Sequence, residues 1–162
     1  MADRKDSRAD EPPSPIWFAH ERQAAFADAD PAGILHFTRL LAYVEEAEHA
    51  WLRAAGVSLL AEGLGWPRVQ LAVDFQRPVP WQAELRIELQ LQRCGRRSAT
   101  FDFRLGQDRA HLAGSWTIVH ARLVDGLAAA VDLPADFTAH LQAATPAGVP
   151  HLFTSPVEET RA

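Results

Sequence analysis

A chain of 162 residues, 48% of them apolar, is long enough for one domain with a buried core and needs no second one. The formal net charge of −5, without a dense run of Lys and Arg, argues against a nucleic-acid surface. The single cysteine, Cys94, excludes a disulfide within the chain and favours a cytoplasmic location over an oxidising compartment.

The two ends of the chain differ in composition from its middle. Residues 1–15 are charged and rich in proline and lack the apolar stretch of a signal peptide, so a disordered N-terminal tail is expected. Residues 145–162 show prolines without periodicity and are expected to form a C-terminal tail, which leaves residues 16–144 as the domain. No stretch approaches the roughly 18 apolar residues of a membrane helix, so no membrane partner is expected.

The first elements predicted along the chain are a strand, an acidic turn and a helix. Residues 16–26 carry apolar side chains at even spacing and predict a strand. The turn Asp-Ala-Asp-Pro-Ala-Gly follows at 28–33, and a helix of about 30 Å is predicted from Phe37 to Gly56, a typical C′ residue. Its apolar face would hold Phe37, Leu40, Leu41, Val44, Ala47, Trp51, Ala54 and Ala55, and its polar face Arg39, Glu45, Glu46, Glu48, His49 and Arg53.

After the helix the apolar period changes to two. Alternating segments near 69–75, 83–91, 99–105 and 110–123 predict strands, and a short terminal helix is expected within 134–143. Turns at 94–96 and 125–126 indicate hairpins, hence an antiparallel sheet. One long helix followed by such strands is the α+β pattern of a sheet packed on a helix. The buried face of the first of these strands would consist of Val69, Leu71, Val73 and Phe75.

The junction of turn and helix carries the chemistry. Pro31 has no N–H and Gly33 lets backbone approach a ligand closely, so free amides can face a ligand at the positive end of the helix dipole. Such donors stabilise an oxyanion, and Asp30 places a carboxylate beside them. From these residues alone, a helix-capping or turn-forming Asp30 is the competing interpretation.

The turn at 28–34, the segment Glu-Glu-Ala-Glu-His-Ala-Trp-Leu-Arg at 45–53 and Gly56 resemble the hotdog-fold acyl-CoA thioesterases of the 4-hydroxybenzoyl-CoA thioesterase family. The likeness extends more loosely from residue 16 to residue 141. It implies a hotdog fold, an antiparallel sheet wrapped around one long central helix. It also implies hydrolysis of an acyl-CoA thioester to a carboxylic acid and free coenzyme A, in a homodimer or homotetramer whose active site is shared between subunits.

The resemblance also implies roles for particular residues. Asp30 falls on the family's catalytic aspartate, a nucleophile or a general base for water. Gly33 and the backbone amides up to Phe37 would form the oxyanion hole. Histidine is a residue type that suits proton transfer, so His36 would take part in it, or it is a polar residue lining the pocket. Near the turn at 94–96, the guanidinium groups of Arg93, Arg96 and Arg97 would hold the phosphates of coenzyme A, unless this is only a solvated hairpin tip.

Other chemistries have weaker support. Glu46 and His49 have the spacing of a di-metal helix, but a second such helix is missing, so neither a metal nor a separate cofactor is expected. No G-x-S-x-G or glycine-rich phosphate loop occurs. Two alternatives stay open: an enoyl-CoA hydratase or dehydratase of the same fold, using His36 with Glu45, and a non-catalytic acyl-CoA-binding module.

Overall fold

The structure is a computed structural model that describes residues 15–59, 61, 63–107 and 109–145. The tails expected at 1–15 and 145–162 lie outside these ranges, apart from residues 15 and 145. In chain order the described elements are β1 (Trp17–Gln23), α1 (Phe37–Ala54), β2 (Leu64–Gly65), β3 (Arg68–Phe75), β4 (Glu84–Cys94), β5 (Ser98–Gly106), β6 (Ala110–Val119), β7 (Ala121–Val124), β8 (Leu127–Ala130) and α2 (Phe137–Ala143).

Five strands form one antiparallel sheet in the order β1-β4-β5-β6-β3. A smaller sheet has the order β2-β7-β8. The predicted strand at 110–123 is interrupted at His120 and continues in the smaller sheet as β7. Strand β8 was not predicted, because its residues are leucine and alanine without polar alternation.

Helix α1 packs on one face of the larger sheet, against β1, β4 and β5. Because side chains alternate along a strand, every second residue of β4 faces the helix, and Leu85, Ile87 and Leu89 are buried there. Trp51 lies at the centre of this layer and stacks on Phe18 of β1, with ring centroids 5.9 Å apart. Each such side chain contributes about 1.5–3 kcal/mol when it is fully buried, so this layer is the main source of stability.

Two predicted faces need correction. Glu48, expected on the polar side of the helix, is fully buried, because its carboxylate meets the Arg68 guanidinium of β3 at 3.0 Å. Phe37 and Ala54, expected in the core, are exposed, because they lie at the two ends of α1. The strand predicted at 16–26 also ends early: Phe26 belongs to a short 3-10 turn and is exposed.

Strand β3 was expected to be half-buried, yet its apolar side chains are largely exposed. Val69 is 63% exposed, and Leu71 and Phe75 are 49% exposed. The reason is the position of β3. It is an edge strand that pairs with β6 on one side only, and α1 packs mainly on β1, β4 and β5, at the other edge of the sheet. The exposed row on β3 therefore forms an apolar sheet edge.

Candidate active site

The turn between β1 and α1 is closed by its own backbone hydrogen bonds. The Asp28 carbonyl accepts the His36 N–H at 3.0 Å, and the Ile34 carbonyl accepts the Asp30 N–H at 2.8 Å. The Gly33 N–H donates to the Asp30 carbonyl at 3.0 Å, and Gly33 has a φ of 77°, in the left-handed region that glycine adopts without strain. The turn is thus a small loop with a fixed shape at the start of the helix.

The carboxylate of Asp30 uses one of its oxygens within the turn. Its Oδ1 accepts the N–H of Ala32 at 2.8 Å and the N–H of Ile34 at 3.4 Å. In the part of the chain that the structure describes, no donor meets Oδ2. The side chain is half-buried. The carboxylate is therefore oriented by the backbone and keeps one oxygen available to a ligand.

Most of the predicted oxyanion donors are occupied. Besides Gly33, the amides of Leu35 and His36 donate to the carbonyls of Val79 and Asp28. Phe37 is the first residue of α1, and among the described residues nothing accepts its N–H. A free N–H at this position lies at the positive end of the helix dipole. Of the predicted donors, the amide of Phe37 is thus the one that has no acceptor within the described residues.

His36 is the N-cap of α1. Its Nδ1 accepts the Thr38 N–H at 3.4 Å and lies 2.8 Å from Thr38 Oγ1. The ring is exposed and tilted against the ring of Phe37, with centroids 4.6 Å apart. Its Nδ1 is therefore engaged in capping, beside the free amide.

Aromatic rings surround the turn. Phe26 meets Trp81 edge to face at 5.3 Å, and Phe37 meets Phe75 in the same way at 6.2 Å. Trp81 is also next to the turn, since its backbone N–H donates to the Gly33 carbonyl at 3.3 Å. These rings give the site an apolar rim that is open on one side, since Phe26 is 73% and Phe37 54% exposed.

The predicted phosphate-binding arginines lie far from Asp30 within one protomer. The turn near Asp30 meets the segment just before β4, where Ile34 bridges Pro80, whereas the arginines surround the other end of β4. At about 3.3 Å per residue, these ends are about 33 Å apart. Two of the arginines are also paired, since Asp132 Oδ1 accepts Arg96 Nε at 2.9 Å and Arg97 Nε at 3.3 Å. Hydrogen bonding to Arg96 is the main reason that the pKa of Asp132 is lowered.

The pair proposed for a hydratase is also separate. His36 precedes α1, and Glu45 lies about two and a half turns along it, about 13 Å away in rise. Glu45 instead accepts from Arg68 at 2.9 Å. No group of three or more His, Cys, Asp or Glu side chains within the described ranges is arranged to hold a metal ion.

Tyr43 was missed by the sequence interpretation. It is 3% exposed, and its hydroxyl donates to Asp28 Oδ2 at 2.6 Å and accepts the Ala25 N–H at 3.1 Å. The available signal was its position three residues after Leu40, on the buried stripe of the helix. A hydroxyl on such a stripe needs a partner, and that partner is the turn that carries Asp30.

The sequence profile of the thioesterase superfamily matches residues 32–113, from the turn to β6. The chain belongs to the thioesterase superfamily. Among its relatives, a 1,4-dihydroxy-2-naphthoyl-CoA hydrolase of Synechococcus elongatus is 32% identical over an alignment of 106 positions, and the match covers 62% of this chain and 78% of that protein.

Solved structures show the same fold. The match to the 4-hydroxybenzoyl-CoA thioesterase of a Pseudomonas species covers 76% of this chain and 98% of that protein, with 19% identity and a TM-score of 0.69. A 1,4-dihydroxy-2-naphthoyl-CoA thioesterase from Synechocystis covers 77% and 95%, with 23% identity and a TM-score of 0.68. The predicted hotdog fold is thereby confirmed. Neither described helix is both long and apolar enough to cross a membrane.

Proposed function

We propose that this protein is an acyl-CoA thioesterase that uses Asp30 at the thioester carbonyl. One observation carries the proposal: at a single closed turn, neither one oxygen of the Asp30 carboxylate nor the N–H of Phe37 has a hydrogen-bond partner among the residues that the structure describes. A base or nucleophile beside an unpaired helix-start amide is what attack on a thioester requires. Membership of the superfamily and the names of the relatives support the same reaction.

Two routes through Asp30 are possible. As a general base, the carboxylate takes a proton from water while the water oxygen attacks the carbonyl carbon. The C=O electrons then move onto oxygen, opposite the Phe37 N–H. The intermediate collapses, the C–S bond breaks, and the leaving thiolate takes up a proton. As a nucleophile, the carboxylate forms a mixed anhydride and expels the thiolate, after which water hydrolyses the anhydride.

The remaining residues of the turn support these steps. One oxyanion donor of this kind typically contributes about 3 kcal/mol to the transition state. We assign that contribution to Phe37 and the shape of the turn to Gly33. Because its Nδ1 is engaged by Thr38, we assign His36 to capping the helix and lining the site rather than to proton transfer. Coenzyme A is part of the substrate, and neither route uses a further cofactor.

An aromatic acyl group is the substrate class that we propose. The rings of Phe26, Phe37, Phe75 and Trp81 line the rim of the turn, and aromatic groups pack well edge to face on such rings. The relatives named above act on dihydroxynaphthoyl and hydroxybenzoyl thioesters. We also propose a cytoplasmic location, in keeping with the exposed free thiol of Cys94.

We further propose a homodimer formed through β3. Two β3 edges that pair antiparallel about a two-fold axis lie head to tail. Phe75, at one end of β3, touches Phe37 beside the turn; Arg68, at the other end, pairs with Ile118. Ile118 in turn pairs with Ala99, next to the β4–β5 turn. Pairing therefore brings the arginine end of one protomer toward the Asp30 end of the other, which supports a site where the partner's Arg93, the partner's Arg96 and the partner's Arg97 meet coenzyme A.

The experiment that tests the reaction is release of free thiol from a panel of acyl-CoA esters, with aromatic, short-chain and long-chain members. Wild type is compared with Asp30→Asn and with Asp102→Asn, a matched change on β5. We expect turnover of an aromatic member by wild type and Asp102→Asn and loss of turnover in Asp30→Asn. Binding without turnover in the wild type would favour an acyl-CoA-binding module, and hydration of an enoyl-CoA would favour the hydratase.

A further inference from the structure

The turn that carries Asp30 is tied to α1 by the side chain of Tyr43, which hydrogen-bonds to neither Asp30 nor Phe37. The buried hydroxyl of Tyr43 receives the Ala25 N–H from one arm of the turn and donates to Asp28 Oδ2 at 2.6 Å. Arg39 Nε meets the other oxygen, Oδ1, at 3.2 Å. Arg39 and Tyr43 both lie in the first two turns of α1, so the carboxylate of Asp28 is bound by the same helix that begins with the Phe37 amide.

Asp28 is also the residue through which the two reacting groups are connected. Its carbonyl accepts the His36 N–H, and His36 is directly followed by Phe37. Asp30 follows Asp28 by two residues, on the arm of the turn opposite His36 and Phe37. A shift of Asp28 would therefore move the carboxylate of Asp30 relative to the N–H of Phe37, the two groups that must meet the same carbonyl.

The ring of Tyr43 has a contact of its own, besides the hydrogen bonds of the hydroxyl. The Arg22 guanidinium lies over it, 4.6 Å from the ring centroid, and Arg22 in turn meets Glu46 at 2.9 Å. Replacement by phenylalanine keeps a ring beneath this guanidinium and removes the hydroxyl, with its two hydrogen bonds to the turn. The chain therefore offers a variant that separates the position of the turn from the packing of the helix.

We infer that Tyr43 and Asp28 are positioning residues, which set the distance between the Asp30 carboxylate and the Phe37 amide without touching substrate. The inference rests on the proposed thioesterase function. Misplacement of reacting groups by about 1 Å can cost on the order of 10²-fold in rate, so a loosened turn should lower kcat. Binding of coenzyme A and of the acyl group should change little, because neither residue lies at the rim.

The test is steady-state thiol release by Tyr43→Phe on the best acyl-CoA of the panel, at a temperature well below unfolding. We expect kcat to fall about tenfold or more, with KM within about twofold of wild type. Asp28→Asn, which keeps an acceptor for the hydroxyl, should lose less activity than Asp28→Ala. In the double variant Tyr43→Phe with Asp28→Ala, the loss of kcat should be smaller than the product of the two single losses, because the two substitutions share one hydrogen bond.

A matched control removes a similar hydrogen bond elsewhere. The hydroxyls of Thr100 and Thr117 lie 3.0 Å apart between β5 and β6. Thr100→Val should lower the urea midpoint much as Tyr43→Phe does, and it should leave kcat at the wild-type value.

The outcomes separate this inference from the reaction itself. Wild-type kcat in Tyr43→Phe, with Asp30→Asn inactive, would overturn the positioning role and leave the thioesterase in place. Equal loss of kcat in Thr100→Val and Tyr43→Phe would likewise overturn it, because the effect would then reflect stability alone. Absence of turnover in the wild type would overturn both. Should Asp28→Ala fail to fold, Tyr43→Phe and Asp28→Asn still decide the question.

Discussion

At the residue scale, the carboxylate of Asp30 divides its two oxygens between the turn and the site. Oδ1 accepts two backbone N–H groups, as a turn-forming aspartate does. That arrangement leaves Oδ2 for a substrate or a water. The capping and the catalytic interpretations of Asp30 are therefore compatible, and asparagine, which keeps a carbonyl oxygen, separates them.

The buried carboxyl of Glu48 gives the chain a pH-dependent stability. Its pKa is raised from 4.5 to about 7, mainly because burial disfavours the charged form; the charge of Arg68 opposes this shift and the charge of Glu45 adds to it. Because the folded state then binds this proton more tightly than the unfolded state does, the stabilising effect is complete below pH 4.5 and is lost as pH rises to about 7. Glu48→Gln removes this titration.

The measurement for Glu48 is urea unfolding of wild type and Glu48→Gln across this range of pH. The free energy of unfolding of the wild type minus that of the variant should decrease as pH rises from 4.5 to about 7. Subtraction cancels the titration of the other groups that the two proteins share. A difference that stays constant with pH would show that folding leaves the pKa of Glu48 unchanged, and one that increases would show that folding lowers it; either result would contradict the raised pKa.

At the element scale, the turn depends on the left-handed backbone of Gly33. A methyl group there has room, since the nearest atom, a carbon of Trp81, would be 3.9 Å away, but the φ of 77° is strained for alanine. We expect Gly33→Ala to lower the free energy of unfolding by about 1–2 kcal/mol and to lower kcat, because the turn between Asp30 and Phe37 must adjust.

Gly56 provides the matched comparison for Gly33. It has a φ of 73°, nothing within 4 Å of an added methyl group, and a position just beyond the other end of α1. Gly56→Ala should cost a similar amount of stability, about 1–2 kcal/mol, and keep the wild-type kcat. Thermal unfolding and thiol release on the two variants would test this, and equal kcat in both would mean that the shape of the turn is irrelevant to the reaction.

The elements also show what the sequence could and could not predict. The spacing of apolar residues was enough for α1 and for the strands of the larger sheet, because each depends on its own periodicity. The burial of Glu48 depends on Arg68, 20 residues away, and the exposure of β3 depends on strand order. The link from Tyr43 to Asp28 was missed for the same reason, since a helical pattern does not show which loop meets a hydroxyl.

At the scale of the whole molecule, the apolar edge of β3 predicts a homodimer. Leu71 lies in the middle of this edge and is 49% exposed, and a lysine on an edge strand opposes pairing. We expect a dimer for wild type in sedimentation equilibrium, and a monomer with reduced turnover for Leu71→Lys, because the site would lose the partner's arginines.

The edge strand β8 provides the control for the dimer. Leu127 is 75% exposed on β8 in the smaller sheet, so Leu127→Lys makes the same chemical change on a different edge. It should leave both the dimer and the turnover unchanged. A wild type that is monomeric at all concentrations would contradict the proposed dimer. A dimer that persists in Leu71→Lys and is lost in Leu127→Lys would place the interface at β8.

The most direct measurement of the central claim is the single-turnover rate of thiol release by Asp30→Asn, together with calorimetric binding of the same acyl-CoA. We expect the rate to fall by on the order of 10²-fold or more with the dissociation constant nearly unchanged, since asparagine can keep the hydrogen bonds of the turn but cannot act as base or nucleophile. A variant that binds the substrate and releases thiol at the wild-type rate would contradict the assignment and leave Asp30 as a turn-forming residue.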